Sequence, residues 1–277
     1  MNVYEIVTKK IIESLEQGVI PWRKTWDGED AINWVTRKPY RGINRLLLDD
    51  GEYMSYKQIV ENKGSVKKGA KSHIVIFWKW YEKATDDNGE MKIERLPVLR
   101  YYRVFHISDC IGIESKFNYS QNVPKSLSAE KVMEDYTQHN NINLKTITGS
   151  NSAYYNPQED CIVLPDIKQF ESSESYYSVA FHELIHSTGN KTRLDRIRTT
   201  AFASEEYSKE ELVAEIGSAM LMNETGLNIP DTFHNSVAYI NSWLSALKED
   251  SHMVVIAAAQ AQKAVELVLG KEMSENE

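Results

Sequence analysis

The stretch Val179-Ala-Phe-His182-Glu183-Leu-Ile-His186 organises the second half of the chain. Core-type apolar residues flank the two histidines, as is typical of a buried helix that carries an active site. Histidines four residues apart on a helix lie on one face, so both imidazoles can point at one metal ion. The sequence therefore predicts a metal-binding helix, capped by Ser173 or Ser175 and stopped by Gly189.

Glu183 follows the first histidine and is a candidate catalytic base. A zinc ion lowers the pKa of a bound water molecule to about 7. A carboxylate beside that water can accept its proton and pass it to a leaving amine. This pattern predicts His182 and His186 as metal ligands and Glu183 as the general base. The alternative interpretation is an ordinary helix with two surface histidines.

A catalytic zinc also needs a third protein ligand, and the run Glu211-Leu-Val-Ala-Glu215 offers two glutamates on one helix face. We expect Glu211 to bind the metal and Glu215 to accept a hydrogen bond from a ligand histidine. The competing interpretation is a capping box, in which Ser208 and Glu211 only satisfy the start of the helix. His234 and His252 are isolated in sequence and are expected to be surface or structural residues.

Hydrophobic periodicity predicts an α+β fold in both halves of the chain. In the second half it predicts paired strands within 153–164, and helices over 130–139, 209–224, 236–247 and 254–269. In the first half it predicts helices over 3–17 and 56–62, and strands over 72–81 and 99–107 with a turn at Asp86-Asp-Asn-Gly89. The first half is therefore expected to contain an antiparallel sheet, and the second to be mainly helical with a small sheet.

Charge also differs between the two halves. Residues 1–125 hold 21 Lys and Arg against 17 Asp and Glu, a net charge of +4, and residues 126–277 hold 11 against 23, a net −12. A polar stretch of Ser, Asn, Gln and Pro separates them, so we predict domains at 1–118 and 128–277 with a linker at 119–127. A drift of charge along one domain is the alternative.

Aromatic and basic residues alternate in the first half, as single-stranded nucleic acid requires. The candidate contacts are Trp22, Arg23, Lys24, Arg37, Lys38, Tyr40, Arg41, Asn44, Lys67, Lys68, Lys71 and Trp78. Asp27, Glu29 and Asp30 interrupt this basic segment. A packed aromatic core is the rival explanation.

Composition favours a cytoplasmic protein. The chain has only Cys110 and Cys161, and neither a secretory signal nor an apolar run long enough to cross a membrane. No heptad pattern is present, so the oligomeric state is left open.

Several separate motifs resemble the ArdC-type antirestriction proteins of mobile elements. They are Tyr176-Tyr177 through Gly189, Arg193-Leu-Asp-Arg196, Glu211 through Glu215, Pro21-Trp-Arg-Lys24, Lys38-Pro-Tyr-Arg-Gly-Ile-Asn44, Val66-Lys-Lys-Gly69, Val75-Ile-Phe-Trp-Lys79 and Asn241-Ser-Trp-Leu244. The likeness covers nearly the whole chain.

The resemblance implies an N-terminal domain that binds single-stranded DNA, a C-terminal zincin-like metallopeptidase domain and protection of incoming DNA from restriction. By position it implies that His182, His186 and Glu211 hold the metal and that Glu183 is the base. Zn²⁺ suits this donor set best, with Mn²⁺ or another divalent ion as the alternative. Tyr155, Arg193 and Arg196 are candidates for stabilising a transition state.

Two other functions fit the same residues. The metal could be structural, so that protection comes only from covering the DNA. Alternatively, the chain is a metallopeptidase whose first half recognises a protein or peptide substrate.

Overall fold

A computed structural model describes residues 2–17, 19–22, 31–87, 90–116, 128–150, 152–197, 205–227 and 236–272. The chain divides into two compact units. Among the described residues, unit 1 comprises 2–7 and 31–116, and unit 2 comprises 8–22 and 128–272. The expected linker, 119–127, lies outside the described residues, as does the predicted helix stop at Gly18.

The strands of unit 1 are β1 (Ile32–Asn33), β2 (Glu52–Ser55), β3 (Ser65–Val66), β4 (His73–Asp87), β5 (Glu90–His106) and β6 (Cys110–Ile111). Four of them form a sheet in the order β1-β2-β5-β4, and β3 pairs with β6. The predicted antiparallel arrangement is confirmed for β2, β5 and β4, whereas β1 and β2 run parallel.

The long hairpin of β4 and β5 dominates unit 1. Its strands pair without a break from His73 opposite Val104 to Asp87 opposite Glu90, so both strands are longer than predicted. Asn88 and Gly89, the centre of the predicted turn, lie outside the described residues. The base of the hairpin is buried, where Val75 and Val104 pack in one cluster with Tyr53.

Two helices in the first part of the chain begin at side-chain caps. The α1 helix (Val3–Glu16) begins with Asn2 and Glu5, each accepting a hydrogen bond from the backbone N–H of the other. Residues 3–7 of α1 belong to unit 1, and its remainder belongs to unit 2. The α2 helix (Asn44–Leu47) is a single turn, and α3 (Tyr56–Glu61) begins at a capping box of Ser55 and Gln58.

Unit 2 combines helices with a three-stranded sheet. The helices are α4 (Ala129–His139), α5 (Ser173–Thr188), α6 (Glu205–Glu224), α7 (Ser236–Glu249) and α8 (Met253–Val268). The strands are β7 (Asn143–Ile147), β8 (Tyr154–Asn156) and β9 (Cys161–Pro165), in the order β7-β9-β8. The mainly helical second domain with a small sheet, and the α+β class, are confirmed. The β7 strand was not predicted.

Two predicted helix starts in unit 2 are wrong. Ser172, not Ser173 or Ser175, caps α5, because its hydroxyl accepts the N–H of Ser175. The α6 helix begins at Glu205 rather than at 209, so Ser208 lies inside it. Within the described part of the chain, none of the helices combines the length and apolar character needed to span a membrane.

Candidate functional site

Two neighbouring helices of unit 2 bring three metal-binding side chains together. His182 and His186 lie on α5, one turn apart, and Glu211 lies on α6. Their ligand atoms all lie within 4.8 Å of one another. Because α6 starts before Ser208, Glu211 is not the closing residue of a capping box. The competing interpretation of this glutamate is therefore excluded by the observed helix start.

Close approach of α5 and α6 sets this geometry. A Cβ on Gly217 of α6 would lie 2.9 Å from the side chain of Ile185, so only glycine fits there without displacement. The hydroxyl of Ser218 donates to the carbonyl of Ser178 at 2.8 Å, which joins the two helices again. Ile185 directly precedes His186. The same contact therefore fixes both helices beside the candidate metal ligands.

The distances between the three side chains match a tetrahedral metal site. The two histidine Nε2 atoms are 3.1 Å apart, and each is 3.5 Å from an oxygen of Glu211. Two ligands that each lie about 2.0–2.1 Å from a tetrahedral ion stand about 3.3–3.4 Å apart. Two imidazole nitrogens and one carboxylate are also the donor set of many catalytic zinc sites. These residues therefore fit a divalent ion.

Glu210 is the carboxylate that orients His186. Its Oε1 lies 3.3 Å from Nδ1 of His186, which leaves Nε2 directed at the ligand cluster. Arg196 holds this carboxylate through both oxygens, at 2.9 and 3.2 Å. Such a partner fixes the tautomer and ring orientation of a ligand histidine. Glu215, which was predicted for this role, lies 4.0 Å from Nδ1 of His182, beyond hydrogen-bond length.

Electrostatics in the cluster favour ionised carboxylates. Burial opposes the charged forms of both histidines, but the hydrogen bond to Glu211, together with the charges of Glu183 and Glu215, outweighs it and raises the pKa of His182. Burial also lowers the pKa of His186, but the hydrogen bonds that His186 donates to Glu210 and Glu211, together with the charges of Glu183 and Glu211, raise it to about 10. Burial also opposes the charge of both carboxyl groups, but contacts with the histidines, and with Arg196 at Glu210, lower their pKa values. Both carboxylates are therefore ionised. Glu210 can accept a hydrogen bond from His186, and Glu211 can bind a cation.

The ligand cluster opens into a cavity of about 960 Å³ within unit 2. Glu183 lines it together with both histidines and Glu211, and Tyr154 and Tyr155 of β8 form another part of its wall. A carboxylate next to the ligands and facing this space is placed to act on a bound water or substrate.

The three candidates for transition-state stabilisation have structural partners. Arg193 binds Asp160, the hydroxyl of Tyr155 and the carbonyl of Ser187. The hydroxyl of Tyr155 also bonds Asp160 and Asn190, and burial is the main cause that raises its pKa to about 12. Arg196 binds Glu210, the hydroxyl of Thr188 and the carbonyl of Ile185. The three side chains thus stabilise the structure of the residues around the cavity.

Several predicted DNA contacts are not on the surface. Tyr40 is buried in the cluster around Tyr53. Trp22 is buried in unit 2, where its ring lies edge-on to Trp243 with centroids 5.3 Å apart. Neither ring has a face on which a base could stack, so the prediction for these two aromatics is wrong.

Polar residues of the same prediction also have structural roles. Arg37 pairs with Glu52, whose side chain is fully buried. Asn44 bonds the backbone N–H and C=O of Ile76 at 2.8 and 2.9 Å, which caps the outer edge of β4. Arg23 and Lys24 lie outside the described residues.

The remaining predicted contacts have different degrees of exposure. Lys38, Lys67, Lys68 and Lys71 are exposed, although Lys67 also donates to the carbonyl of Ser108. Arg41 and Trp78 are half-buried, and the ring of Trp78 lies edge-on to that of Tyr4.

Two groups of residues were not predicted from the sequence. Glu210 was overlooked because it precedes Glu211 and the start of α6 was misplaced. Around Phe77 and Arg100, the β4–β5 pairing brings together aromatic and basic residues that are far apart in sequence. Strand alternation was visible for each strand alone, but the cross-strand register was needed to assemble the surface.

Comparison with known proteins agrees with this geometry. Residues 132–260 match the zincin-like metallopeptidase family. The fold and the donor set of unit 2 therefore define a zincin-like metallopeptidase domain. Residues 1–105 match the N-terminal domain of the anti-restriction factor ArdC. The chain belongs to the ArdC family of antirestriction proteins.

Solved structures and full-length relatives support this assignment. The antirestriction ArdC protein from plasmid R388, in its Mn(II)-bound structure, is 33% identical over 98% of both chains, with a TM-score of 0.77. Its metal-free structure gives 32% identity and the same TM-score, over 99% of this chain and 100% of that one. The uncharacterized protein y4eC of Sinorhizobium fredii is 30% identical over 95% of this chain and 90% of its own length.

Longer relatives contain a region similar to the whole chain. Two DNA primase TraC proteins of Escherichia coli are 35% and 33% identical over 98% of this chain. The chain spans only 20% and 27% of their respective lengths.

Proposed function

We propose that this antirestriction protein binds single-stranded DNA through unit 1 and holds a catalytic divalent metal ion in unit 2. Its role would be to protect the DNA of a mobile element from restriction in the cytoplasm. The convergence of His182, His186 and Glu211 within 4.8 Å is the observation that carries the metal assignment. The positive net charge of residues 1–125 and the family of the N-terminal domain support the DNA assignment.

His182, His186 and Glu211 are the proposed ligands, and the fourth position would face the cavity. A bound divalent ion would supply a Lewis acid that activates water and polarises a peptide carbonyl. We favour zinc because two imidazoles and one carboxylate suit it well. Manganese is the alternative, since the R388 protein has a Mn(II)-bound structure.

Glu183 is the proposed general base. Its carboxylate would take a proton from the attacking water and deliver it to the amine of the departing peptide. Glu210 would keep the Nδ1 proton of His186 in place, so that Nε2 stays available to the ion. Burial of the cluster strengthens each of these electrostatic contacts.

A non-catalytic metal is the second candidate function for unit 2. Arg193, Arg196 and Tyr155, the groups that could have stabilised a transition state, are all bonded to structural partners. In this alternative the metal stabilises unit 2, and protection comes from covering the DNA alone.

Glu183→Gln separates the two candidates, because the amide keeps the size of the side chain but cannot act as a base. The proposal predicts full metal content and loss of both peptide cleavage and protection in a restriction assay. Full protection by this variant would show that catalysis is not the route. Cleavage at the wild-type rate would remove Glu183 from the mechanism.

A further inference from the structure

We propose that single-stranded DNA lies on one face of the β4–β5 hairpin, formed by Phe77, Lys79, Tyr81, Leu96, Arg100 and Tyr102. We call this surface the aromatic–basic face. The inference rests on the proposed DNA binding by unit 1 and specifies where that binding occurs. It replaces Trp22 and Tyr40, which are buried, as the proposed aromatic contacts.

Strand register places these six residues on the same side of the sheet. Phe77 pairs with Arg100, Tyr81 pairs with Leu96, and Tyr102 pairs with Val75 at the buried base. Alternate residues of a strand point to the same face, so Phe77, Lys79 and Tyr81 form one row. The other row runs antiparallel beside it. Two stretches that are remote in sequence thus form one continuous surface.

Aromatic rings on this face are partly open to solvent. Phe77 is 42% exposed, Tyr102 is 37% exposed and Tyr81 is 36% exposed. Phe77 and Tyr102 lie edge to face with ring centroids 5.7 Å apart. That contact holds the two rings against each other without covering both faces of either ring. The exposed parts of these rings are available for stacking.

Cations are interleaved with the rings. The guanidinium of Arg100 lies 5.7 Å from the centre of the Tyr81 ring and donates to its hydroxyl at 3.2 Å. The ammonium of Lys79 lies 5.0 Å from the same centre. Both charges are therefore held close to a ring that could stack on a base, which is the combination that single-strand binding needs.

Charge on this face has one sign. From 73 to 81 and from 96 to 104, the ten positions on this side hold Lys79 and Arg100 but no Asp or Glu. The opposite side of the same hairpin carries Glu82, bonded to Arg95. Phosphate would be attracted to Lys79 and Arg100 within this stretch of the hairpin. A negatively charged strand fits this face better than a neutral or acidic protein segment does.

Spacing along the strands favours unpaired nucleotides over a duplex. Same-side residues of a strand stand about 6.8 Å apart, roughly twice the 3.4 Å rise per nucleotide of one strand in B-DNA. Phe77 and Tyr81 lie two such steps apart on β4, with Lys79 between them, so these rings suit bases that are separated and individually stacked on protein. Bases inside a duplex have no free face to offer.

The test measures binding of the full chain to a fluorescent oligothymidylate, which forms no secondary structure. Phe77→Ala with Tyr102→Ala should weaken binding by about 30-fold or more, as expected for loss of two stacking rings. Lys79→Gln with Arg100→Gln should reduce the salt dependence: the slope of log K against log salt should fall in magnitude by about 1.4.

The opposite side of the hairpin provides a matched control. Trp80 is 53% exposed and Tyr101 is 43% exposed, and both lie on that side. Trp80→Ala with Tyr101→Ala removes as much exposed aromatic surface and should leave binding at the wild-type level. Phe77→Leu should weaken binding while Phe77→Trp retains it, because only the latter keeps a flat ring. Photocrosslinking of a bromodeoxyuridine oligonucleotide to the wild-type chain, with the labelled residue identified by tandem mass spectrometry, should label Phe77, Tyr81 or Tyr102 rather than Trp80 or Tyr101.

Four results would overturn the inference. If the aromatic and charge variants bind like the wild-type protein, or if only the Trp80/Tyr101 variant loses binding, DNA lies elsewhere while the proposed function stands. Crosslinks confined to other residues would also place the DNA elsewhere, even if a variant failed to fold. If the wild-type chain does not bind oligothymidylate at low salt, the proposed DNA binding fails as well.

Discussion

Nδ1 of His186 lies 3.3 Å from Oε1 of Glu210, and Arg196 holds the same carboxylate through both oxygens. A candidate ligand histidine is thus linked through Glu210 to an arginine whose side chain is only 6% exposed. This chain of contacts makes Glu210 a positioning residue for the proposed metal centre.

We expect Glu210→Ala to lower metal affinity by about 10- to 100-fold, the usual effect of removing such a partner. Competition with a chromogenic chelator measures this directly. Glu224→Ala is a suitable control, because Glu224 lies on the same helix but pairs with Lys271 instead. Unchanged affinity in Glu210→Ala would show that His186 needs no such partner.

Helix boundaries explain what the sequence could and could not predict at this site. The spacing of His182, Glu183 and His186 was sufficient to predict a shared helix face. With the start of α6 placed at 209, however, Glu211 could be a capping residue, and the sequence did not indicate which way the side chain of Glu210 points. The observed start of α6 at Glu205 places both glutamates within the helix, facing α5.

In unit 1, the sequence could not predict which aromatic residues are buried. Aromatic residues next to basic ones are common both in cores and on nucleic-acid surfaces, so composition could not separate Tyr40 from Phe77. Burial depends on which strands pair and in which register. The predicted strands were correct in position, but their lengths and the β1–β2 parallel pairing were not encoded in local periodicity.

Arg37 is expected to stabilise unit 1 rather than contact DNA. Glu52 has a fully buried side chain and is held by Arg37, by the hydroxyl of Ser115 at 2.7 Å and by the N–H of Lys116 at 2.9 Å. Arg37→Ala should lower the free energy of unfolding by about 3 kcal/mol, because it leaves a buried charge with fewer partners. Urea denaturation measures the change.

Lys38→Ala, at the exposed neighbouring position, should change the free energy of unfolding by less than about 0.5 kcal/mol. A stable Arg37→Ala variant with weakened oligothymidylate binding would show instead that Arg37 contacts DNA.

The same carboxylate predicts a dependence of stability on pH. Burial alone would raise the pKa of Glu52, but hydrogen bonds from Ser115, Arg37 and Lys116 outweigh it and lower this pKa. The resulting stabilisation is complete above the pKa of an unfolded glutamate, about 4.3, and is lost as pH falls through the lower folded value.

Glu52→Gln should therefore destabilise the protein near neutral pH and flatten the decline of stability on the acid side. Urea midpoints measured across this range test the expectation. If the stability of Glu52→Gln falls with decreasing pH as steeply as that of the wild-type protein, groups other than Glu52 cause the decline.

Gly217 should be intolerant of side chains because of its distance to Ile185. Gly217→Val would place new atoms against a fully buried isoleucine, and overpacking of this kind costs about 1–3 kcal/mol. Chemical denaturation should show that loss together with weaker metal binding, since Ile185 adjoins His186. A variant with wild-type stability would mean that α5 and α6 separate at little cost.

Metal content of paired glutamate variants tests the central claim most directly. Glu211 and Glu215 lie four residues apart on α6 and are similarly buried, but only Glu211 approaches both histidine Nε2 atoms. Elemental mass spectrometry of the purified proteins should find one equivalent of divalent metal in the wild-type chain and in Glu215→Ala. It should find almost none in Glu211→Ala. Retention of the metal by Glu211→Ala, with its loss from Glu215→Ala, would contradict the proposed ligand set.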